Sequence, residues 1–190
     1  MKPTIYGFPP STYTQTALMA AVEAGVDVDL SPIEFKKASH LALHPYGKMP
    51  AFGHDGVRLF ETLAIVTYLD RVFGKSKLTP PTPVGQAHML QWISVAVDYA
   101  YEDLVNGMHP ETPSPESITA ACEQLKLIDA GLVDREFFAG SSFSLADLFL
   151  YPMVEYASGK LDEGVWKGLS ALQRWRIVVS KRPSAKKATA

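Results

Sequence analysis

The first third of the chain alternates between strand-like and helix-like patterns of hydrophobic residues. Residues 4–7 are β-branched and aromatic and predict a strand, and residues 12–24 place apolar side chains at helical spacing. Gly25 follows where a helix often ends in a left-handed residue. Residues 26–33 then alternate apolar and polar side chains. The pattern therefore predicts a β-α-β unit.

A hairpin and a helix are predicted next. Residues 51–54 and 57–60 are short strand-like segments on either side of Asp55-Gly56, a dipeptide typical of tight hairpin turns. Residues 61–73 then show helical spacing of apolar residues, while residues 34–49 between these elements are irregular. The expected order is β-α-β, a loop, a β-hairpin and an α-helix.

A proline-rich segment, residues 79–83, separates this part from a purely helical one. Three prolines in five residues cannot continue a helix, and no strand pattern follows them. Four helices are predicted, at about residues 90–104, 118–132, 144–157 and 165–180. We expect an α/β domain over residues 1–78, a linker over 79–84 and an all-α helical bundle over 85–190.

Composition and charge exclude several classes of protein. The 18 basic and 20 acidic residues nearly cancel, so no electrostatic footprint for nucleic acid or an anionic membrane is expected. The single cysteine, Cys122, excludes an internal disulfide. No apolar run approaches the roughly 20 residues of a membrane span, and no signal peptide is recognisable, so a cytoplasmic location is expected. One basic cluster is interpreted as a solvated tail: Lys181, Arg182, Lys186 and Lys187.

Three short segments could bind a ligand, and each has a structural alternative. Pro50 could start a strand or form a cis bond that exposes the preceding backbone to a peptide ligand. Glu61 and Thr62 could cap a helix, or bind the ammonium and carboxylate of an amino acid end. Ser11 follows two prolines at a strand-to-helix turn. It could be a simple cap or could donate a hydrogen bond to a thiolate.

Other conspicuous residues have structural explanations. Ser144 and Asp147 fit a capping box. Cys122 falls on the apolar face of its helix, which favours a core position. The five histidines lack metal-ligand spacing, so no metal is expected.

The order of these segments is more specific than any one of them. Residues 6–12 (YGFPPST), 44–52 (HPYGKMPAF) and 59–65 (LFETLAI) resemble the glutathione transferase superfamily, with the phi class as the nearest pattern. Residues 138–140, 143–147 and 181–183 resemble its second domain. The resemblance implies a thioredoxin-like domain and a helical bundle with a second-substrate pocket. It also implies a detoxifying enzyme that conjugates glutathione, its co-substrate, to small apolar electrophiles, commonly as a homodimer.

The resemblance also implies roles for individual residues. Ser11 would activate the glutathione sulfur, Met49 would pair with the cysteinyl backbone ahead of cis Pro50, and Glu61 with Thr62 would bind the γ-glutamyl end. Lys48 and Lys36 would face the glycine carboxylate. The phi class has a histidine near the position of Phe35, which this chain lacks, and His40 is a candidate substitute. Three residues of the first long helix are open to pocket or core roles: Trp92, Tyr99 and Met108.

Two alternatives stay open. Tyr6 could replace Ser11 as the activating hydroxyl, and a non-catalytic binding or protein-interaction module would keep the fold without turnover. A thiol–disulfide oxidoreductase is disfavoured, because no cysteine lies near Ser11.

Overall fold

The chain divides into two units in a computed structural model that describes residues 1–188. One unit contains Met1–Leu78 together with the chain from Arg182 onward, and the other contains Thr79–Lys181. Within residues 1–188, no helix has the length and apolar character that crossing a membrane requires.

The first unit is a four-stranded mixed sheet with helices. The strand order is β2-β1-β3-β4, with β1 and β2 parallel and the other pairs antiparallel. Its elements are β1 (Thr4–Tyr6), α1 (Thr12–Ala24), β2 (Asp29–Ser31), α2 (Ala38–Leu41), β3 (Ala51–His54), β4 (Val57–Phe60) and α3 (Thr62–Val72). The predicted thioredoxin-like α/β arrangement is confirmed, including the hairpin around Asp55-Gly56.

The core of this unit explains why the strands have their register. Ile5 on β1 lies opposite Phe52 on β3, and both side chains are buried. Ile65 and Leu69 of α3 are also fully buried, while α1 packs against α3. Gly25 ends α1 with φ 73°, and its N–H donates to the Val22 carbonyl, as the sequence predicted.

The second unit contains helices and one isolated β-bridge between Phe137 and Gly140, and its helices are less regular than predicted. They are α4 (Pro83–Val95), α5 (Pro115–Ala130), α6 (Leu145–Ser158) and α7 (Ser170–Ser180). The first predicted helix continues beyond α4 as two π-helical segments, Ala96–Ala100 and Glu102–Asn106. The last predicted helix is divided into a 3₁₀ turn, Glu163–Trp166, and α7, because the chain turns at Gly168 with φ 91°.

Helix α4 begins inside the segment expected to be a linker. Thr82 accepts the Gly85 N–H at 3.1 Å as the helix cap, and Pro83 is the first helical residue. Proline suits this position, because its missing N–H would have no partner in the first turn. Of the three prolines in the segment, Pro83 starts α4, while Pro80 and Pro81 lie in the loop before it.

The basic C-terminal segment is not the solvated tail that the sequence suggested. It forms α8 (Pro183–Ala188), which packs against α1. Arg182 donates two hydrogen bonds to the Glu23 carboxylate, at 2.8 and 2.7 Å, and Ser184 is fully buried beside the same carboxylate. Residues 182–188 thus lie with the first unit, although the sequence analysis assigned them to the helical domain. The Lys187 side chain and residues 189–190 are outside the described part.

Candidate functional site

Ser11 lies at the N-terminus of α1 with its hydroxyl oriented by the backbone. It is the helix cap, with φ −70° and ψ 120°, and its Oγ accepts the Thr14 N–H at 3.3 Å. Its own N–H donates to the Phe8 carbonyl at 3.1 Å. A hydroxyl has one proton to donate. Since Oγ is used as an acceptor, the half-buried Ser11 can give that proton to an anion near the positive end of α1.

Gly7 allows the chain to approach this turn closely. A Cβ on Gly7 would lie 2.5 Å from Oγ1 of Thr14, well inside the roughly 3.0 Å that real Cβ atoms keep from non-bonded atoms. The Thr14 side chain, fully buried in the first turn of α1, therefore packs directly on the Gly7 backbone. Glycine at position 7 therefore allows the segment that leads to Ser11 to pack closely against the first turn of α1.

Tyr6, the alternative hydroxyl, points its ring over β3. An added Cβ on Gly53 would lie 3.5 Å from Cε2 and 3.7 Å from the phenol oxygen of Tyr6. The ring thus occupies the space that glycine leaves on the neighbouring strand. Tyr6 is partly exposed.

Met49 and Pro50 lead into β3 through a cis peptide bond. Met49 is partly exposed and lies outside the ladder, whose first pair on β3 joins Ala51 to Tyr6 on one side and Phe60 on the other. The cis bond proposed from the sequence is present. The Met49 backbone is placed beside the sheet, where an extended peptide could hydrogen-bond to it.

Glu61 and Thr62 start α3 in an uncommon backbone conformation. Glu61 has φ 69° and ψ 119°, a region that costs a non-glycine residue of order 1–3 kcal/mol and often marks functional sites. Its exposed side chain makes no capping hydrogen bond, so the carboxylate is available to a ligand. Thr62 is buried in the first turn, where the backbone N–H groups favour an anion.

Lys36 and Lys48 are both exposed. The side chain of His40 lies between their backbones and is hydrogen-bonded to both. His40 is 1% exposed, its Nδ1 lies 3.0 Å from the Lys36 N, and its Nε2 lies 2.8 Å from the Lys48 carbonyl oxygen. Because both ring nitrogens are occupied inside the protein, His40 is not in a position to contact a glycine carboxylate. The suggestion that it substitutes for a ligand-binding histidine is therefore wrong.

His44 is a buried residue near Glu61 that the sequence analysis did not single out. It is 2% exposed, its ring lies 5.2 Å from that of Phe60, and Nδ1 has no hydrogen-bond partner among residues 1–188. Burial lowers the pKa of His44 below 6.5, the negative charge of Glu61 opposes this shift, and the nearby Lys48 ammonium adds to it. The imidazole is therefore neutral at neutral pH. The only sequence signal for His44 was its position as the first residue of the segment 44–52.

The three candidates for the second-substrate pocket differ in accessibility. Trp92 is 8% exposed and its ring lies 4.7 Å from that of Phe138, and Met108 is fully buried, so both belong to the helical core. Tyr99 is 62% exposed. Of these three residues, only Tyr99 could contact a ligand without rearrangement.

Known families and proteins resemble the chain over most of its length. Residues 1–71 match the family described as glutathione S-transferase, N-terminal domain, and residues 117–177 match the corresponding C-terminal domain. A Schizosaccharomyces pombe protein assigned to the glutathione S-transferases is 32% identical over 93% of this chain and 88% of its own length. Glutathione S-transferase F11 of Arabidopsis thaliana is 28% identical, over 96% and 95%.

A solved structure resembles the fold in detail. It is a theta class glutathione S-transferase from the citrus canker pathogen Xanthomonas axonopodis pv. citri, with glutathione bound. The TM-score is 0.86 at 25% identity, and the match covers 98% of this chain and 96% of that one. The structural match therefore includes both units of the chain.

Proposed function

Because the chain belongs to the glutathione S-transferase family and functions as a glutathione transferase, we propose that Ser11 is the residue that activates the glutathione sulfur. The observation that carries this proposal is the position of Ser11 as the α1 cap. Its Oγ accepts a backbone N–H and leaves its proton for a ligand. A thiolate there would also experience the positive end of the helix.

The energy available is sufficient for this chemistry. A free thiol with a pKa of about 8.5 is mostly protonated at neutral pH, and lowering that pKa by about two units requires roughly 2.7 kcal/mol. One hydrogen bond to a charged group contributes about 1.5–3 kcal/mol, and a helix N-terminus adds about 0.3–1 kcal/mol. One hydroxyl and one helix end therefore supply the required stabilisation.

The remaining contacts to glutathione follow from the same surface. We propose that Glu61 binds the γ-glutamyl ammonium while the first turn of α3, at Thr62, receives the carboxylate. Met49, ahead of cis Pro50, would pair with the cysteinyl backbone. Lys36 and Lys48 would bind the glycine carboxylate, because both ammonium groups are exposed. The thiolate would then form a carbon–sulfur bond with a small apolar electrophile, whose leaving group departs as an anion.

The first experiment replaces Ser11 with alanine and measures thiolate formation. Ultraviolet titration of the complex with glutathione should show the pKa of the bound thiol rising by about one to two units, the equivalent of one charged hydrogen bond. Turnover of an aromatic halide near neutral pH should fall about 10- to 100-fold with little change in glutathione affinity. Ser141→Ala, at an exposed serine of the second unit, is the matched control.

The same titration distinguishes the alternatives. A shift in Tyr6→Phe without one in Ser11→Ala would transfer the role to the tyrosine. A wild-type complex with no thiolate near neutral pH would establish the binding module and reject catalysis. The homodimer and the cytoplasmic location stay predictions, and sedimentation analysis tests the first.

A further inference from the structure

His40 joins two segments of the chain by hydrogen bonds from a single buried ring. A backbone N–H can only donate and a carbonyl can only accept. His40 Nδ1 therefore accepts the Lys36 N–H, and Nε2 carries the proton that is donated to the Lys48 carbonyl. Both partners fix the same neutral tautomer. The ring is 1% exposed, so solvent does not compete for either bond.

The Lys36 backbone is held in a conformation that is uncommon for lysine. Its φ is 61°, in the left-handed region that glycine favours, and residues held there depend on support from their surroundings. His40 supplies that support by accepting the Lys36 N–H. Without this bond, the segment could relax to an ordinary extended or helical conformation and reorient the lysine.

The two lysine segments also lie close together. A Cβ built on Gly47, which has φ 60°, would lie 3.5 Å from Cγ of Lys36. The stem of Lys36 thus passes over the residue that precedes Lys48. Neither ammonium is within ion-pair distance of a carboxylate in residues 1–188. Lys36 Nζ lies 5.5 Å above the Phe35 ring. Two unneutralised cations are therefore held on adjoining backbone.

We infer that His40 is a positioning residue that fixes Lys36 and Lys48 for one carboxylate and thereby sets the preference for glutathione over γ-glutamylcysteine. This inference rests on the proposed function, which assigns the glycine end of glutathione to the two lysines. γ-Glutamylcysteine lacks that glycine but keeps the groups that Glu61 and Ser11 would bind. A defect confined to the lysines must therefore affect one peptide and spare the other.

The experiment measures the dissociation constants of both peptides by calorimetry. His40→Leu removes both hydrogen bonds and should weaken glutathione binding about tenfold, the usual size for a charged contact. Its affinity for γ-glutamylcysteine should stay within about twofold, and kcat at saturating glutathione should be retained. His109→Leu, at an exposed histidine of the second unit, is the matched control.

Two further variants keep the test decisive if His40→Leu folds poorly. The amide of His40→Asn can replace Nδ1 toward Lys36, and that of His40→Gln can replace Nε2 toward Lys48, so each should lose part of the preference. The inference is overturned if the variants bind both peptides equally more weakly, or if the preference for glutathione over γ-glutamylcysteine is unchanged in all three variants. A wild type that binds neither peptide, or both equally, instead refutes the assignment of the two lysines on which the inference depends.

Discussion

Replacing Asp147 should destabilise the helical unit by more than the loss of one helix cap. The carboxylate is completely buried and accepts four hydrogen bonds. The Ser144 N–H and hydroxyl each donate at 2.9 Å, the Trp175 Nε1–H at 2.8 Å, and the Phe138 N–H at 3.3 Å. Asp147 therefore closes the capping box of α6 and also joins α7 and the preceding loop to it.

The size of the effect follows from what Asp147→Ala would leave behind. Three buried N–H donors would lose their acceptor, at about 1–3 kcal/mol each, while the Ser144 hydroxyl can rotate toward another partner. Burial raises the pKa of Asp147 to about 6, against the opposing hydrogen bonds from Trp175, Ser144 and Phe138. At neutral pH the raised pKa corresponds to a destabilisation of the folded state by up to about 3 kcal/mol, and Asp147→Ala removes this destabilisation together with the charge. At about 2 kcal/mol for each donor, less about 3 kcal/mol for the buried charge, the net loss is about 3 kcal/mol.

Thermal unfolding measures this loss. For a chain of this size, about 3 kcal/mol corresponds to a decrease in Tm of roughly 6–12 °C. Asp134→Ala, at an exposed aspartate in the same unit, should leave Tm unchanged. A decrease of only about 3 °C, the size expected for one lost cap, would refute the role of Asp147 in joining three segments.

The pH dependence tests the same carboxylate in a second way. Because its pKa is raised to about 6 in the folded state, Asp147 contributes stability that is fully present below pH 3.8 and is lost as pH rises through about 6. The stability of wild type relative to Asp147→Asn should therefore decrease between pH 4 and pH 7. An increase over this range would show that the four hydrogen bonds outweigh burial.

Three further predictions concern the first unit. Glu61→Ala should weaken glutathione binding by about 1.5–3 kcal/mol in a calorimetric titration; unchanged affinity in a folded variant would reject its role. Arg182 and Ser184 hold the pKa of Glu23 below 4.5 despite burial, so this carboxylate contributes stability above pH 4.5 that is lost on acidification. Arg182→Ala should lower Tm and reduce that acid-side loss, and an unchanged melt would contradict it. His44, whose lowered pKa disfavours its charged form in the folded state, should reduce stability as pH falls below 6.5. His44→Asn should flatten urea-denaturation stability between pH 7 and pH 5, and an unaltered slope would exclude this contribution.

Much of the candidate site could be proposed from the sequence because its residues mark the ends of local elements. Ser11 and Glu61 each precede a helix, and Pro50 precedes a strand, so local patterns marked them as candidates. Their roles came from the family resemblance. The role of His40 could not be obtained in this way. Its two ring nitrogens are hydrogen-bonded to the backbone of Lys36 and Lys48 because the folded chain brings these residues to it. In the sequence, His40 is a single histidine without a recognisable motif.

The interruptions of the helical unit were equally inaccessible to periodicity. The apolar spacing predicted one helix through residues 90–104, yet the chain widens into π-helical turns after Val95. A change from four- to five-residue hydrogen bonding alters which residues face the core without leaving a distinct sequence signal. The break between the 3₁₀ turn and α7 could be located only from the structure, in which Gly168 has a φ of 91°.

The order of motifs along the chain carried the family resemblance. The sequence by itself also determined the order of the strands and of the main helices, the hairpin turn, and the caps of α1 and α6. These depend on residues a few positions apart, whose spacing is fixed by helix and strand geometry. Only the tertiary structure decided that Arg182 pairs with Glu23, 159 residues away, and that Trp175 donates to Asp147, 28 residues away. Such pairs form when folding brings distant segments together, and burial then makes each polar partner necessary to the other.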